Sequence, residues 1–363
     1  MKAIILAGGG GTRLWPISRK TTPKQVEPII GEKSLLRATY DRIRHGFAPE
    51  DIYVATAESH ADIVRKQLPE LPEANLVMEP CRRETAAAIG YALLRVASRE
   101  PEATFVTVNS DAYVRDVDEY HRVLRAAELA VKTDPDTTVL VGITPAYPET
   151  GYGYIKSGAE ALRVESGGKS YAVSAVERFV EKPDIQTAQR YLAEGGYLWN
   201  PTLIVGRIDR FLALYKKHLP THALYFERMA ETFGTDDEDE SVRAHFARIP
   251  AISIDYGILE KEERMRVLPA DFGWADVGNW RTVADILATG PKENVVKGRH
   301  VGVESDGNLI YSFSGKLVAT AGVCDMIIIE TGDALLVCPK DRAQDVKRIV
   351  GALEDDLELQ KYL

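Results

Sequence analysis

The chain has 363 residues, 45% hydrophobic and 27% charged, with a net charge of −9. That length and composition suit a globular protein with one large domain and a small one. The acidic balance argues against a general binder of nucleic acid or acidic membranes, so a phosphate ligand would have to be met by local positive charge.

In chain order, residues 2–7 read as a short apolar strand of the kind buried in a parallel sheet. Gly8, Gly9, Gly10 and Gly11 follow at once. Without side chains, their backbone N–H groups can form a nest for an anion such as phosphate. Arg13 and Lys24 add positive charge beyond the turn. A P-loop is absent, and Arg13 stands where a dinucleotide fingerprint has its third glycine.

Strands over 51–56, 75–78, 104–108 and 138–142 alternate with helices over 85–97 and 119–131 and a helix through Ile63, Val64 and Leu68. This pattern predicts βαβ units, hence an α/β fold with a Rossmann-like mixed, mainly parallel sheet flanked by helices. Ligands of such sheets sit at carboxyl strand ends, where the glycine turn and Asp111 fall. The middle third mixes strands over 154–156 and 175–180 with helices over 184–193, 207–217 and 221–231. Residues 235–240 read as a solvated acidic loop. His218 and His222 flank a proline and read as a helix junction, not a zinc pair.

After Gly290-Pro291, short strands with Gly or Asp between them predict a small β domain, closed by a helix over 341–353. The expected domains are therefore 1–290 and 291–363. Cys81, Cys324 and Cys338 are far apart and read as reduced thiols. Met1-Lys2 leads straight into a strand and no apolar run nears membrane-spanning length, so a cytoplasmic location is expected.

Asp111 follows a strand, and Asp276 lies in Phe272-Gly273-Trp274-Ala275-Asp276-Val277-Gly278. Each is read either as a turn residue or as one of two carboxylates for Mg²⁺, which takes few protein oxygens alongside phosphate.

The stretch from Leu6, Ala7 and the four glycines through Thr12-Arg13-Leu14-Trp15-Pro16, with Pro23-Lys24-Gln25, resembles the signature of sugar-1-phosphate nucleotidyltransferases, in their mannose-1-phosphate guanylyltransferase branch. The resemblance covers nearly the whole chain. Glu79-Pro80 through Arg83-Glu84-Thr85-Ala86 is similar to the family's base-pocket segment, and Glu149 to Ile155, with Tyr152 and Gly153, to its sugar-side loop. Phe179-Val180-Glu181-Lys182-Pro183 resembles the motif whose lysine holds the sugar phosphate and whose glutamate binds sugar hydroxyls. Leu198-Trp199-Asn200 resembles the segment with a sugar-binding asparagine. Ser253-Ile254-Asp255-Tyr256-Gly257 and the segment around Asp276 match two further motifs. The family's metal aspartates fall at Asp111, two residues after Asn109, and at Asp276.

The resemblance implies the nucleotidyltransferase fold with a short left-handed β-helix-like C-terminal domain, Mg²⁺ as cofactor, and a homodimer. It also implies transfer of GMP from GTP to mannose 1-phosphate, giving GDP-mannose. Arg13 and the glycine turn would hold the triphosphate, Lys24 would stabilise charge at the α-phosphate, and Lys182 would hold the sugar phosphate. Two departures touch the pockets: Glu84 replaces the family's Asn, and Pro201-Thr202 replaces Ser-Gly. Glu84 is read either as favouring the helix dipole or as accepting from guanine N1 and N2. Thr202 puts a branched side chain beside Asn200, which predicts a modest preference for mannose over glucose. The alternatives are the same reaction on another sugar or triphosphate, and an inactive ligand-sensing paralogue.

Overall fold

The computed structural model describes residues 1–9 and 11–363; Gly10 lies outside the described residues. Its contacts divide the chain into two compact units. Unit one comprises Met1–Gly8, Tyr40–Ser110 and Val114–Trp274, and unit two comprises Gly9–Thr39, Asp111–Tyr113 and Ala275–Leu363. This is a different cut from one at residue 290, because unit two takes an N-terminal segment together with the C-terminal strands.

Unit one is built on a ten-stranded mixed sheet. Lys2–Leu6 pairs parallel with Ile52–Ala57 on one side and Thr104–Asn109 on the other, and Leu76–Glu79 extends the group in parallel. These apolar runs are largely buried, as strands covered on both faces must be. Leu6, Ala57, Glu79 and Asn109 are therefore neighbouring carboxyl ends. Ile204–Arg207 enters antiparallel between Thr104–Asn109 and Thr138–Ile143. Tyr197–Asn200, Gly153–Ser166 and Lys169–Val180 continue antiparallel, and Met265–Ala270 pairs parallel with Thr138–Ile143.

The helix Glu84–Ala97 packs its alanine-rich face inward. Gly90 has no room for a side chain, since a Cβ there would lie 2.3 Å from the Phe226 ring. Tyr215 Oη donates to the Ala86 carbonyl at 2.7 Å and fixes the first turn. The expected acidic loop at 235–240 needs correction: Glu238–Phe246 is a helix. Glu238, Asp239 and Glu240 fill its first turn, where carboxylates favour the dipole, and Glu238 pairs with Arg95. The junction between Ile208–His218 and Pro220–Ala230 falls at Leu219.

In unit two, Val295–Lys297, Leu309–Ser312 and Met326–Glu330 stack in parallel, and Leu335–Pro339 closes them antiparallel. Arg299–Val303 and Leu317–Ala321 form a second parallel pair. Val295, Leu309 and Ile327 occupy the same register in successive coils, the repeat of a β-helix. One apolar core joins Leu14, Trp15, Ile17 and Ile29 to Trp280, Tyr311, Ile327 and Val346. Among the described residues no helix is long and apolar enough to cross a membrane.

His222, 1% exposed, sits between Tyr215 and Phe226 with neither ring nitrogen in a well-formed hydrogen bond. Burial pushes its pKa down to about 4, with the Pro250 backbone opposing weakly. A folded pKa below the unfolded value of about 6.5 means that only the unfolded chain takes up this proton between those values. Stability should thus fall as pH drops from about 6.5 to about 4, by up to roughly 3 kcal/mol from this group. Urea midpoints across that window should decline less in His222→Leu than in the wild type; parallel declines would refute the assignment.

Candidate functional site

Unit two brings four of the expected residues together. Lys24 opens a short 3-10 turn, Lys24–Val26, after the extended Pro23. Its side chain is only 9% exposed, and Nζ lies 2.7 Å from Asp111 Oδ2, 3.9 Å from Asp276 Oδ1 and 3.1 Å from the Val277 carbonyl. Backbone bonds fix the two acids: the Val277 N–H donates to the Asp111 carbonyl, and the Gly278 N–H to that of Asp276. Burial works to lower the Lys24 pKa, but the Asp111 and Asp276 charges more than offset it and the value rises, so the ammonium persists.

Arg13, in the turn Thr12–Leu14, donates to Gln344 Oε1 at 3.2 Å. Just beyond it, Trp280 Nε1 donates to the Trp15 carbonyl, and Trp15 Nε1 to the Tyr362 carbonyl, each at 2.9 Å. The signature loop is thereby anchored to C-terminal residues. Gly11 has φ 61°, and a Cβ there would meet Lys24 Cγ at 2.7 Å. Only glycine both takes this conformation cheaply and leaves the lysine stem in place.

Unit one carries the remaining candidates. Leu6 and Ala7 run from the first strand into Gly8, where a Cβ would lie 3.7 Å from Glu79 Oε1. Glu79 ends its strand, is 8% exposed, and burial lifts its pKa to about 7 against the weak pull of Arg82. Glu84, by contrast, is exposed and begins its helix at φ 64°. Thr85 Oγ1 accepts from the Ile254 N–H at 2.8 Å. Asn109 Nδ2 donates to the Pro201 carbonyl at 3.1 Å, which ties that strand end to the 200–202 segment.

A second cluster of unit one gathers Tyr152, Gly153, Glu181, Lys182 and Asn200. Tyr152 packs edge-on between Trp199 and Trp274. A Cβ on Gly153 would strike Glu181 Oε2 at 2.6 Å. The Glu181 side chain is 5% exposed, with Oε1 held 2.9 Å from Lys182 Nζ. Burial opposes the Lys182 charge, yet its hydrogen bond to Glu181 raises the pKa overall. Asn200 Nδ2 donates to Asp255 Oδ1 at 2.8 Å, and Asn200 Oδ1 accepts from the Thr202 N–H at 3.1 Å. Burial, reinforced by the Glu181 charge, lifts Asp255 to about 7. Asp255 was not among the expected site residues, although the Ser253–Gly257 motif that contains it was visible.

A family description, nucleotidyl transferase, matches residues 2–292. The chain belongs to the nucleotidyl transferase family. A second, the mannose-phosphate isomerase/GMP-like β-helix domain, matches residues 298–353. The xanthan biosynthesis protein XanB of Xanthomonas campestris is 38% identical over 97% of this chain and 73% of its own. Mannose-1-phosphate guanylyltransferase of Escherichia coli is 34% identical, with the same two coverages of 97% and 73%. A crystal structure from Thermus thermophilus, described as mannose-1-phosphate geranyltransferase, superposes with a TM-score of 0.86 at 34% identity, covering 97% of this chain and 99% of that one. These relatives extend the family's fold and its C-terminal β-helix to this chain.

Gly11→Ala should move Lys24 away from its two carboxylates. A left-handed alanine and an overpacked lysine stem together cost about 2–4 kcal/mol. We expect a lower melting temperature and, in folded protein, at least a tenfold loss of turnover. Full activity with unchanged melting would show that the glycine serves neither purpose.

Proposed function

We propose that this nucleotidyl transferase transfers GMP from GTP to α-D-mannose 1-phosphate, releasing pyrophosphate and GDP-mannose. The observation that carries the reading is the Asp111–Lys24–Asp276 cluster, taken with relatives named for this substrate. A phosphate oxygen of the sugar 1-phosphate attacks the α-phosphorus, and the bond to the bridging oxygen of pyrophosphate breaks in line. Both reactants are anions, so catalysis is mainly positioning and charge neutralisation, and no general base is needed.

Asp111 and Asp276 suit Mg²⁺: they are two hard carboxylates already sharing one cation, the Lys24 ammonium, and Mg²⁺ is typically held by one or two carboxylates plus substrate phosphates. When bound, Mg²⁺ supplies Lewis-acid neutralisation of phosphate charge. Lys24 stabilises negative charge at the α-phosphate, and Arg13 with the glycine turn binds the triphosphate. Lys182 binds the sugar phosphate, while Glu181 and Asn200 bind sugar hydroxyls. We assign the guanine acceptor to Glu79 in preference to the exposed Glu84, because a buried carboxylate short of donors gains most from the adjacent N1 and N2 donors of guanine. A cytoplasmic homodimer with 1–290 as its catalytic domain completes the reading.

Pyrophosphate release over a grid of nucleoside triphosphates and sugar 1-phosphates tests the reaction, with GTP and mannose 1-phosphate expected to lead. Asp111→Asn and Asp276→Asn should each lose roughly a hundredfold or more in kcat while staying folded. Wild-type rates in either variant would remove it from the metal assignment.

Glu79 binds guanine as the carboxylate, so the KM for GTP should rise as pH falls below about 7. Glu79→Gln should flatten that rise and narrow the preference for GTP over ATP by about tenfold or more. An unchanged pH profile and preference would place base reading elsewhere.

A further inference from the structure

A primary amide can sit in a buried slot in two orientations of nearly equal shape, so hydrogen bonds must choose between them. Asn200 ends the strand Tyr197–Asn200 and is 7% exposed. Two contacts select one orientation: Nδ2 donates to Asp255 Oδ1 and Oδ1 accepts from the Thr202 N–H. Thr202 offers its N–H from a left-handed backbone at φ 58°. Its carbonyl accepts from Thr107 Oγ1 at 2.5 Å, and that hydroxyl accepts from the Ile204 N–H at 3.0 Å. The amide is thus held from two sides, by the bend at Thr202, which Thr107 ties to the sheet, and by the turn Asp255–Leu259.

We propose that Asp255 is a positioning residue that acts through Asn200, fixing its carboxamide so that the second Nδ2 hydrogen is offered as a donor to a hydroxyl oxygen of the sugar 1-phosphate. This rests on the reading of Asn200 as a sugar ligand. Geometry alone supports the direction. An amide nitrogen only donates, so Asp255 Oδ1 must accept whether or not the carboxyl carries a proton on its other oxygen. Glu181 lies close enough for its charge to raise Asp255, and its own N–H is held by Glu260 Oε1 at 2.8 Å. The cluster therefore combines an acceptor, Glu181, with an oriented donor, Asn200. That combination distinguishes a ligand hydroxyl at that point from its absence.

The test is a double-mutant cycle in the full chain, using the sugar 1-phosphate that the release assay ranks first. Asp255→Leu and Asn200→Ala should each raise the KM for the sugar 1-phosphate by about tenfold, with kcat within about threefold and the GTP KM unchanged. The double variant should be no worse than Asn200→Ala alone, because Asp255 acts only through that amide. Asp255→Asn, whose oxygen still accepts, should restore a near wild-type KM. Multiplying effects in the double variant, or an Asp255→Asn as impaired as Asp255→Leu, would overturn the proposal. If Asp255→Leu does not fold, Asp255→Ala replaces it in the cycle.

A ligand-free readout separates this inference from the assigned reaction. The two Asn200 side-chain amide protons should give well-separated NMR signals with one slow to exchange in the wild type and Asp255→Asn, and should lose that protection in Asp255→Leu or its alanine substitute. Protection that survives the loss of the acceptor would refute the positioning role even if turnover is as proposed. Its loss would support the role even if mannose 1-phosphate proves inert.

Discussion

One buried ammonium between two carboxylates is the constraint on which unit two depends. A lysine that is 9% exposed must be paired, since an isolated charge away from water is costly. Lys24 finds its partners on Asp111 and Asp276, from two chain segments far from its own. Meeting them requires the segment that carries Lys24 to be held in place, and packing holds it. Leu14, Trp15, Ile17 and Ile29 share a core with Trp280 and the coil residues Leu309, Tyr311 and Ile327, while both tryptophan N–H groups end on carbonyls of the same unit. The C-terminal coils are thus the packing surface that holds the loop's cation in place.

Three non-glycine residues of unit one hold strained backbone. Glu84, Lys182 and Thr202 all lie in the left-handed region, at φ 64°, 46° and 58°. Such conformations cost about 1–2 kcal/mol for side chains larger than glycine or asparagine, and most for a branched one. Two of the three are the places where the chain departs from the family pattern, Asn to Glu84 and Gly to Thr202. The conformations persist because neighbours over-determine them. Thr85 Oγ1 and the Ala86 N–H are bonded to the 252–254 segment, and both backbone groups of Thr202 are engaged. Asn200 accepts its hydrogen bond from the Thr202 N–H with the threonine in place.

Much of this was legible in the sequence because it rests on local rules. The apolar run Lys2–Leu6, the alanine-rich helix Glu84–Ala97 and the regular coil spacing after residue 290 each carry their own periodicity. What was hidden depends on distant partners. The helix Glu238–Phe246 looked like an acidic loop because its anchor, Arg95, is 143 residues away. The union of Leu14, Trp15, Ile17 and Ile29 with the coils is a tertiary core with no period to read. Asp255 lay in a visible motif, but its importance comes from Asn200 and Glu181, which only folding brings near. Thr202 could be seen as a departure, whereas its left-handed backbone could not.

The buried acids separate into two groups by how many donors the chain itself provides. Burial works to raise Glu262 and Glu330, yet His218 and Lys217 for the first, and Ser312, Ser314 and Lys316 for the second, overcome it and hold both near 2. These carboxylates are saturated by their own protein and brace the fold. Glu79 and Asp255 match them in surface exposure, at 8% each, but lie deeper in the protein with few donors in reach, so burial wins and both rise to about 7. A folded chain gains nothing for its own stability by burying a carboxylate short of donors. At Glu79 the proposed guanine ligand would bring the missing donors at N1 and N2, whereas Asp255 keeps one acceptor oxygen on the Asn200 amide. Donor supply and depth of burial together separate the acids that brace the fold from the two that stay raised.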